Sequence, residues 1–146
     1  MTWTLLLLAA ISALAQTPPP AAADLVGEPW RLVQFQGGDG TVLKPDDPAK
    51  YTVQFNADLS VSARIDCNRG RATWKSAGAN QVELGPLALT RMMCPPGSLH
   101  DQIVKQWGFV RSHVIKDGRL VLSGDAQLPD KLARGQVMIY VGKLQR

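Results

Sequence analysis

The chain has 146 residues, of which 45% are hydrophobic and 19% are charged, and its formal net charge is +4. These proportions are typical of a protein that folds as about one domain, and they exclude an intrinsically disordered chain. Because the basic residues are spread along the sequence rather than concentrated in one run, the positive charge does not indicate a nucleic-acid-binding protein.

The first residues are typical of a secretory signal peptide. An uninterrupted apolar run covers residues 5–11, and Ala13-Leu14-Ala15 supplies the small residues that precede a signal-peptidase cleavage position. Counted through Ala15, the mainly apolar stretch has about 10 residues, half of the roughly 20 that a transmembrane helix needs, so no permanent membrane span is predicted. We expect cleavage between Ala15 and Gln16 and a periplasmic or secreted mature protein.

The residues after this position are rich in proline and alanine. Consecutive prolines occupy positions 18–20, where they remove backbone donors and restrict φ. They predict a short extended spacer over residues 16–24. The folded domain then covers residues 25–146, and we expect it to be a monomer.

Alternation of apolar and polar residues with a period of two predicts that most of the domain is β-sheet. The alternation over residues 51–56 and 59–65 predicts an antiparallel hairpin. The dipeptide Asp117-Gly118 predicts a second hairpin, between strands at 114–115 and 120–122, because a type I′ turn needs positive φ at both central residues. Further strands are predicted at 30–35, 71–75, 82–84, 87–92 and 136–141.

One segment has helical rather than strand periodicity. Ser98 follows Pro95-Pro96-Gly97 and precedes Asp101 by three residues, which is the pattern of an N-cap with an acidic residue in the first turn. The apolar residues that recur at helical spacing are Leu99, Ile103, Val104 and Trp107. We therefore predict one amphipathic helix of about three turns and, with the strands, an α+β domain.

Two spaced motifs carry a family resemblance. The first is Cys67-Asn68-Arg69, and the second is Thr90-Arg91-Met92 with Cys94 after one further residue. With Trp30 and Leu32 in the first strand, the chain over residues 28–142 resembles the META domain family, to which the bacterial heat-shock protein HslJ belongs. The sequence departs from the family pattern at Asp66, where a glycine is common, at the glycine after the first motif, which is displaced, and at Trp74, where tyrosine is usual.

The resemblance implies a fold and, less specifically, a role. Members of the family have an antiparallel, barrel-like sheet with one helix. They are mostly non-enzymatic envelope or secreted proteins linked to stress responses, antibiotic tolerance or motility. The resemblance thus implies an exported protein without catalytic residues or cofactor, which acts by binding an envelope component or small ligand or by structural support.

The two cysteines are candidates for a disulfide. In an exported chain with no third cysteine, Cys67 and Cys94 have one possible intramolecular partner, and their disulfide would close a loop of about 28 residues. The alternative is a metal site formed by both cysteines with His100 and His113. That site lacks the short Cys-Cys or His-His spacing that zinc sites usually have, and a redox enzyme would usually need two thiols close in sequence.

No catalytic pattern is evident in the remaining residues. The chain has no Gly-x-Ser-x-Gly motif, and His100 and His113 are interpreted as structural residues. Asn68 is suited to turns, and Arg69 to binding carbonyl or carboxylate oxygens, so both are interpreted as structural. Two alternatives remain open, which are an enzyme or enzyme inhibitor that uses the loop at Cys67-Asn68-Arg69, and a barrel that encloses a small apolar ligand. The densest basic group, interpreted as a solvated strand face, is Arg64, Arg69, Arg71, Lys75 and Arg91.

Overall fold

We describe a computed structural model of the chain over residues 20–37, 40–124 and 137–142. The predicted signal peptide, residues 1–15, lies outside these ranges. The strands are β1 Trp30–Gln36, β2 Val42–Leu43, β3 Tyr51–Phe55, β4 Ser60–Ile65, β5 Asn68–Lys75, β6 Glu83–Leu84, β7 Ala88–Leu89, β8 Ser112–Lys116, β9 Arg119–Ser123 and β10 Val137–Val141. Helix α1 is His100–Trp107, and two 3₁₀ helices cover Pro20–Leu25 and Pro48–Lys50.

The strands form one antiparallel sheet that curls into a nearly closed barrel. Their order is β6-β5-β4-β3-β1-β10-β9-β8, with β2 paired to β1 and β7 paired to β5. The two ends of this order approach each other, since the Val82 amide donates to the Arg111 carbonyl at 3.1 Å and the His113 amide donates to the Asn80 carbonyl at 2.9 Å. The predicted α+β class, with a mostly antiparallel barrel-like sheet and one helix, is confirmed.

Alternation along the strands places one row of side chains inside the barrel. In β3, Tyr51, Val53 and Phe55 are at most 2% exposed, whereas the residues between them are partly exposed. Phe55 contacts Trp74 of β5 edge-to-face, with ring centroids 5.5 Å apart, an arrangement that adds to the burial of both rings. The core therefore lies inside the barrel and is built from neighbouring strands.

Both predicted hairpins are present. β3 and β4 pair in register from Tyr51 opposite Ile65 to Phe55 opposite Val61. In the β8–β9 hairpin, Asp117 and Gly118 have φ of 52° and 73°, as a type I′ turn requires. These elements were predictable because each depends on residues close together in the chain.

The predicted helix exists but is shorter than expected. It begins at His100, its N-cap is Leu99 rather than Ser98, and it has 8 residues, which is closer to two turns than three. Two contacts hold the residues just before the helix. The Leu99 amide donates to the Tyr51 hydroxyl at 3.0 Å, and the Ser98 hydroxyl accepts from the His100 amide at 3.2 Å.

Three other predicted boundaries are wrong. The spacer is not extended throughout, because Pro20–Leu25 is a 3₁₀ helix that buries Ala22 and Leu25 completely. Residues three apart share one face of a 3₁₀ helix, so both side chains reach the core. β5 begins at Asn68, before the expected residue 71, and β7 has two residues instead of the expected strand 87–92. The short strand β2 was not predicted.

Candidate functional site

The buried amide of Asn68 connects the two motifs. Asn68 is fully buried at the start of β5. Its Oδ1 accepts from the Met92 amide at 2.8 Å and from the Thr90 hydroxyl at 2.8 Å, and its Nδ2 donates to the Met92 carbonyl at 2.9 Å. The side chain thus pairs with the Met92 backbone as a neighbouring strand would, so main-chain pairing is not needed at this position.

Main-chain contacts beside Asn68 continue this connection. The Thr90 amide donates to the Arg69 carbonyl at 3.0 Å, and the Arg69 amide donates to the Thr90 hydroxyl at 3.0 Å. Asn68 and Arg69 belong to β5 rather than to the predicted loop. Their backbone and the Asn68 amide hold the segment that follows β7.

The predicted disulfide is present between Cys67 and Cys94, whose Cα atoms are 5.5 Å apart. The Cys67 amide also lies 3.3 Å from the Cys94 sulfur. Asp66, before the pair, has φ of 54°, a conformation that aspartate tolerates better than most residues and that glycine adopts freely. This explains how Asp66 can replace the common glycine without moving the motif.

The segment held in this way forms one wall of a groove. Residues 87–98 and the outward face of α1 enclose about 1120 Å³, open to solvent. We call this space the α1 groove. From the helix, it is lined by His100, Asp101 and Val104.

Apolar side chains project from the groove walls. Met93 is 97% exposed, Met92 65% and Val104 37%. Arg91 also lines the groove, and His100 Nδ1 lies 2.9 Å from an Asp101 carboxylate oxygen. A surface with this composition suits an apolar ligand with few polar groups.

The other predicted site residues, among them Trp30, Arg69 and Arg91, lie in different parts of the fold. Trp30 is buried in β1, where its indole donates to the Leu25 carbonyl at 3.1 Å, so it supports the barrel. Arg91 lies in the groove wall and Arg69 does not. Of the basic group, Arg69, Arg71, Lys75 and Arg91 are exposed, as expected for a solvated face.

The alternative interpretation was a metal site formed by both cysteines with His100 and His113. Cys67 and Cys94 cannot act as thiolate ligands while they form the disulfide. Among the described residues, no three His, Cys, Asp or Glu side chains cluster as metal ligands would. His113 is buried beside the barrel seam, and its Nδ1 has no hydrogen-bond partner in the described part of the chain. Burial lowers the pKa of His113, against smaller opposing effects of Asp24 and the Gln81 backbone.

Side chains from the described strands fill the barrel interior. Phe55, Leu32, Leu120 and Leu122 are each at most 1% exposed. A cavity beside Met138 measures about 10 Å³, too small for more than about one water molecule.

Two features of this site were missed in the sequence. The groove combines residues from separate elements, and the exposed Met93 directly follows Met92, whose backbone is bound by Asn68. The adjacent methionines directly before Cys94 were the available signal, because apolar side chains beside a fixed backbone position cannot all turn inward.

Comparison with known proteins identifies the family. A family model described as the META domain matches residues 23–138, and no curated protein matches the chain. An NMR structure of a protein from Burkholderia xenovorans has 19% identity and a TM-score of 0.63, with 97% of this chain and 100% of that chain covered. A crystal structure of a DUF4847 family protein from Bacteroides vulgatus has 13% identity and a TM-score of 0.56, with 86% and 99% covered.

At these identities, the two solved structures show similarity of fold. None of the helices in the described ranges has the length and hydropathy needed to cross a bilayer. The family assignment rests on the match over most of the chain and agrees with the motif residues that meet at Asn68. The chain therefore belongs to the META domain family.

Proposed function

We propose that this chain is an exported, non-catalytic META-domain protein that binds an apolar ligand in the α1 groove and thereby contributes to stress or antibiotic tolerance. The observation that carries the proposal is the exposure of Met92, Met93 and Val104 on the groove walls. Clustered apolar side chains at a concave surface favour a binding site over a solvated surface.

The groove wall is fixed before any ligand arrives. Met92 is bound through both its amide and its carbonyl to the Asn68 side chain, and Cys94 is linked to Cys67. A wall that is already ordered loses little conformational entropy on binding. The methionine side chains can still change rotamer, so a fixed backbone and adaptable side chains would accept apolar ligands of different shapes.

Export is supported by the predicted signal peptide and by the disulfide, because disulfides persist in oxidising compartments. The absence of catalysis is supported by the roles of the motif side chains. Cys67, Asn68 and Cys94 are committed to one another and to the backbone of the groove wall. Groups engaged in this way are poorly suited to act as nucleophiles or bases.

A binding experiment tests the groove directly. Fluorescence titration with the apolar probe N-phenyl-1-naphthylamine should show saturable binding, and Val104→Asp should weaken it by about tenfold because a charge would have to be desolvated. Val42→Asp is the matched control, since Val42 is 50% exposed on β2 and does not line the groove. Equal affinities of the two variants would contradict binding in the groove.

A genetic experiment tests the biological role. Deletion of the gene should lower survival after heat or in hydrophobic antibiotics, and the full-length chain should restore it. A chain starting at Gln16 without a leader should not restore survival, because it would remain in the cytoplasm. Survival equal to that of the parent strain would count against a stress role.

A further inference from the structure

The sulfur atoms of this chain are distributed unevenly between its interior and its surface. The sequence has two cysteines and four methionines. Both cysteines are in the disulfide, Met1 belongs to the predicted signal peptide, and Met138 is 3% exposed. In the described part of the mature chain, the exposed thioethers are therefore those of Met92 and Met93.

These two thioethers are placed where modification would change the surface but not the core. Met93 is 97% exposed and so contributes almost nothing to packing. Met92 is held through its main chain, by hydrogen bonds of 2.8 and 2.9 Å to Asn68. Oxidation of either sulfur would leave those main-chain bonds in place.

We propose that Met92 and Met93 form a reversible oxidation site for hydrogen peroxide, which weakens the binding of apolar ligands in the α1 groove. The ligand-binding half of this inference rests on the proposed function. Each thioether attacks one oxygen of a separate hydrogen peroxide molecule, so an S–O bond forms, the O–O bond breaks and the proton of the transferred oxygen moves to the departing oxygen. Sulfur loses two electrons, and the peroxide is reduced to water.

The effect on binding follows from the polarity of the product. A sulfoxide is a strongly polar hydrogen-bond acceptor, whereas the thioether is nearly apolar. Two sulfoxides on one wall would have to be desolvated before an apolar ligand could contact them. For each sulfoxide, a methionine sulfoxide reductase takes two electrons and two protons from a pair of thiols, which form a disulfide, so that water is released and the apolar thioether is restored.

Site-resolved mass spectrometry after peroxide treatment of the intact mature protein tests the oxidation half. Met138 is the internal control, because it is buried in the same molecule and lies 3.6 Å from the Tyr140 hydroxyl. We expect Met92 and Met93 to oxidise at least about tenfold faster than Met138. Similar rates at all three positions would overturn the assignment.

Titration with N-phenyl-1-naphthylamine before and after peroxide tests the regulatory half. Peroxide should weaken binding by about tenfold in the wild type, and both stereospecific sulfoxide reductases together should reverse the loss. In the double variant Met92→Leu/Met93→Leu, the ratio of affinities before and after peroxide should be about one, since leucine keeps an apolar side chain without sulfur. An equal peroxide effect in the wild type and the double variant would overturn the regulatory role.

The two proposals fail in different ways. If the reduced wild type does not bind the probe, the binding function and the regulatory half fall together. The oxidation rates decide the modification site independently of that result. If the reduced protein binds but oxidised protein binds equally well, the binding function stands and the regulatory inference is wrong.

Discussion

Replacement of Asn68 by alanine should remove the connection between β5 and the groove wall. The carboxamide makes hydrogen bonds to the Met92 amide, the Met92 carbonyl and the Thr90 hydroxyl. Asn68→Ala removes all of these bonds but leaves the disulfide in place. We therefore expect a folded protein with lower stability and a more mobile segment between β7 and Cys94.

The magnitude follows from the number and burial of these bonds. A hydrogen bond contributes about 1 kcal/mol net, and the Asn68 side chain makes bonds of 2.8, 2.8 and 2.9 Å while fully buried. The expected loss in the free energy of unfolding is thus about 3 kcal/mol. With an urea m-value of about 2 kcal/mol per molar, the unfolding midpoint should fall by about 1.5 M.

Equilibrium unfolding in urea, with the disulfide intact, measures this loss. The matched control is Asn56→Ala, because Asn56 is partly buried and its Nδ2 donates to the Ser60 hydroxyl at 3.0 Å. We expect a loss of about 1 kcal/mol for the control. A loss below about 1 kcal/mol for Asn68→Ala, or equal losses for both variants, would refute the view that this amide organises the motif.

Further predictions concern the disulfide, the barrel seam and a close strand contact. Replacing both Cys67 and Cys94 by serine should lower the free energy of unfolding by about 3.5 kcal/mol in the loop-entropy model, measured by urea unfolding; a loss below about 1 kcal/mol would contradict it. Because burial puts the folded pKa of His113 below its ordinary value of 6.5, the unfolded chain binds more protons as pH falls below that value. The free energy of unfolding should therefore be greatest above pH 6.5 and decline below it. His113→Gln should reduce this dependence of stability on pH, and an unchanged dependence would exclude His113 as its source. Gly70→Ala should cost about 1 to 3 kcal/mol, since its Cβ would lie 2.7 Å from the Ala88 carbonyl oxygen, and a neutral effect in thermal unfolding would show that β7 can shift without loss.

The sequence alone predicted those parts of the fold that depend on local patterns. The β3–β4 hairpin follows from alternation over a few residues, and Asp117-Gly118 defines the turn of the β8–β9 hairpin by its backbone conformation. The pairing of Cys67 with Cys94 followed from the lack of another cysteine. For the hairpins the information lay in residue type and short spacing, and for the disulfide it lay in residue type alone, because the two cysteines are 27 residues apart.

The boundaries that were wrong depend on contacts between distant residues. Leu99 replaces Ser98 as the N-cap where the Tyr51 hydroxyl, far away in sequence, takes the Leu99 amide. β7 stops early where the Asn68 side chain takes over the pairing with Met92. The periodicity of apolar residues does not show which side chain will bind a main-chain group. The predicted α1 and β7 therefore followed the apolar pattern and were longer than the observed elements.

The family motif and the surface proposed to bind ligand therefore have different roles in the same region: the motif holds the backbone, and the groove side chains contact the ligand. Asn68 and the disulfide use their polar groups and sulfurs to hold the backbone around Met92, and this leaves the Met92 and Met93 side chains facing solvent. If this coupling holds, Asn68→Ala should weaken probe binding in the α1 groove although Asn68 itself does not line it. Full binding by a destabilised Asn68→Ala protein would instead mean that the groove forms without the motif.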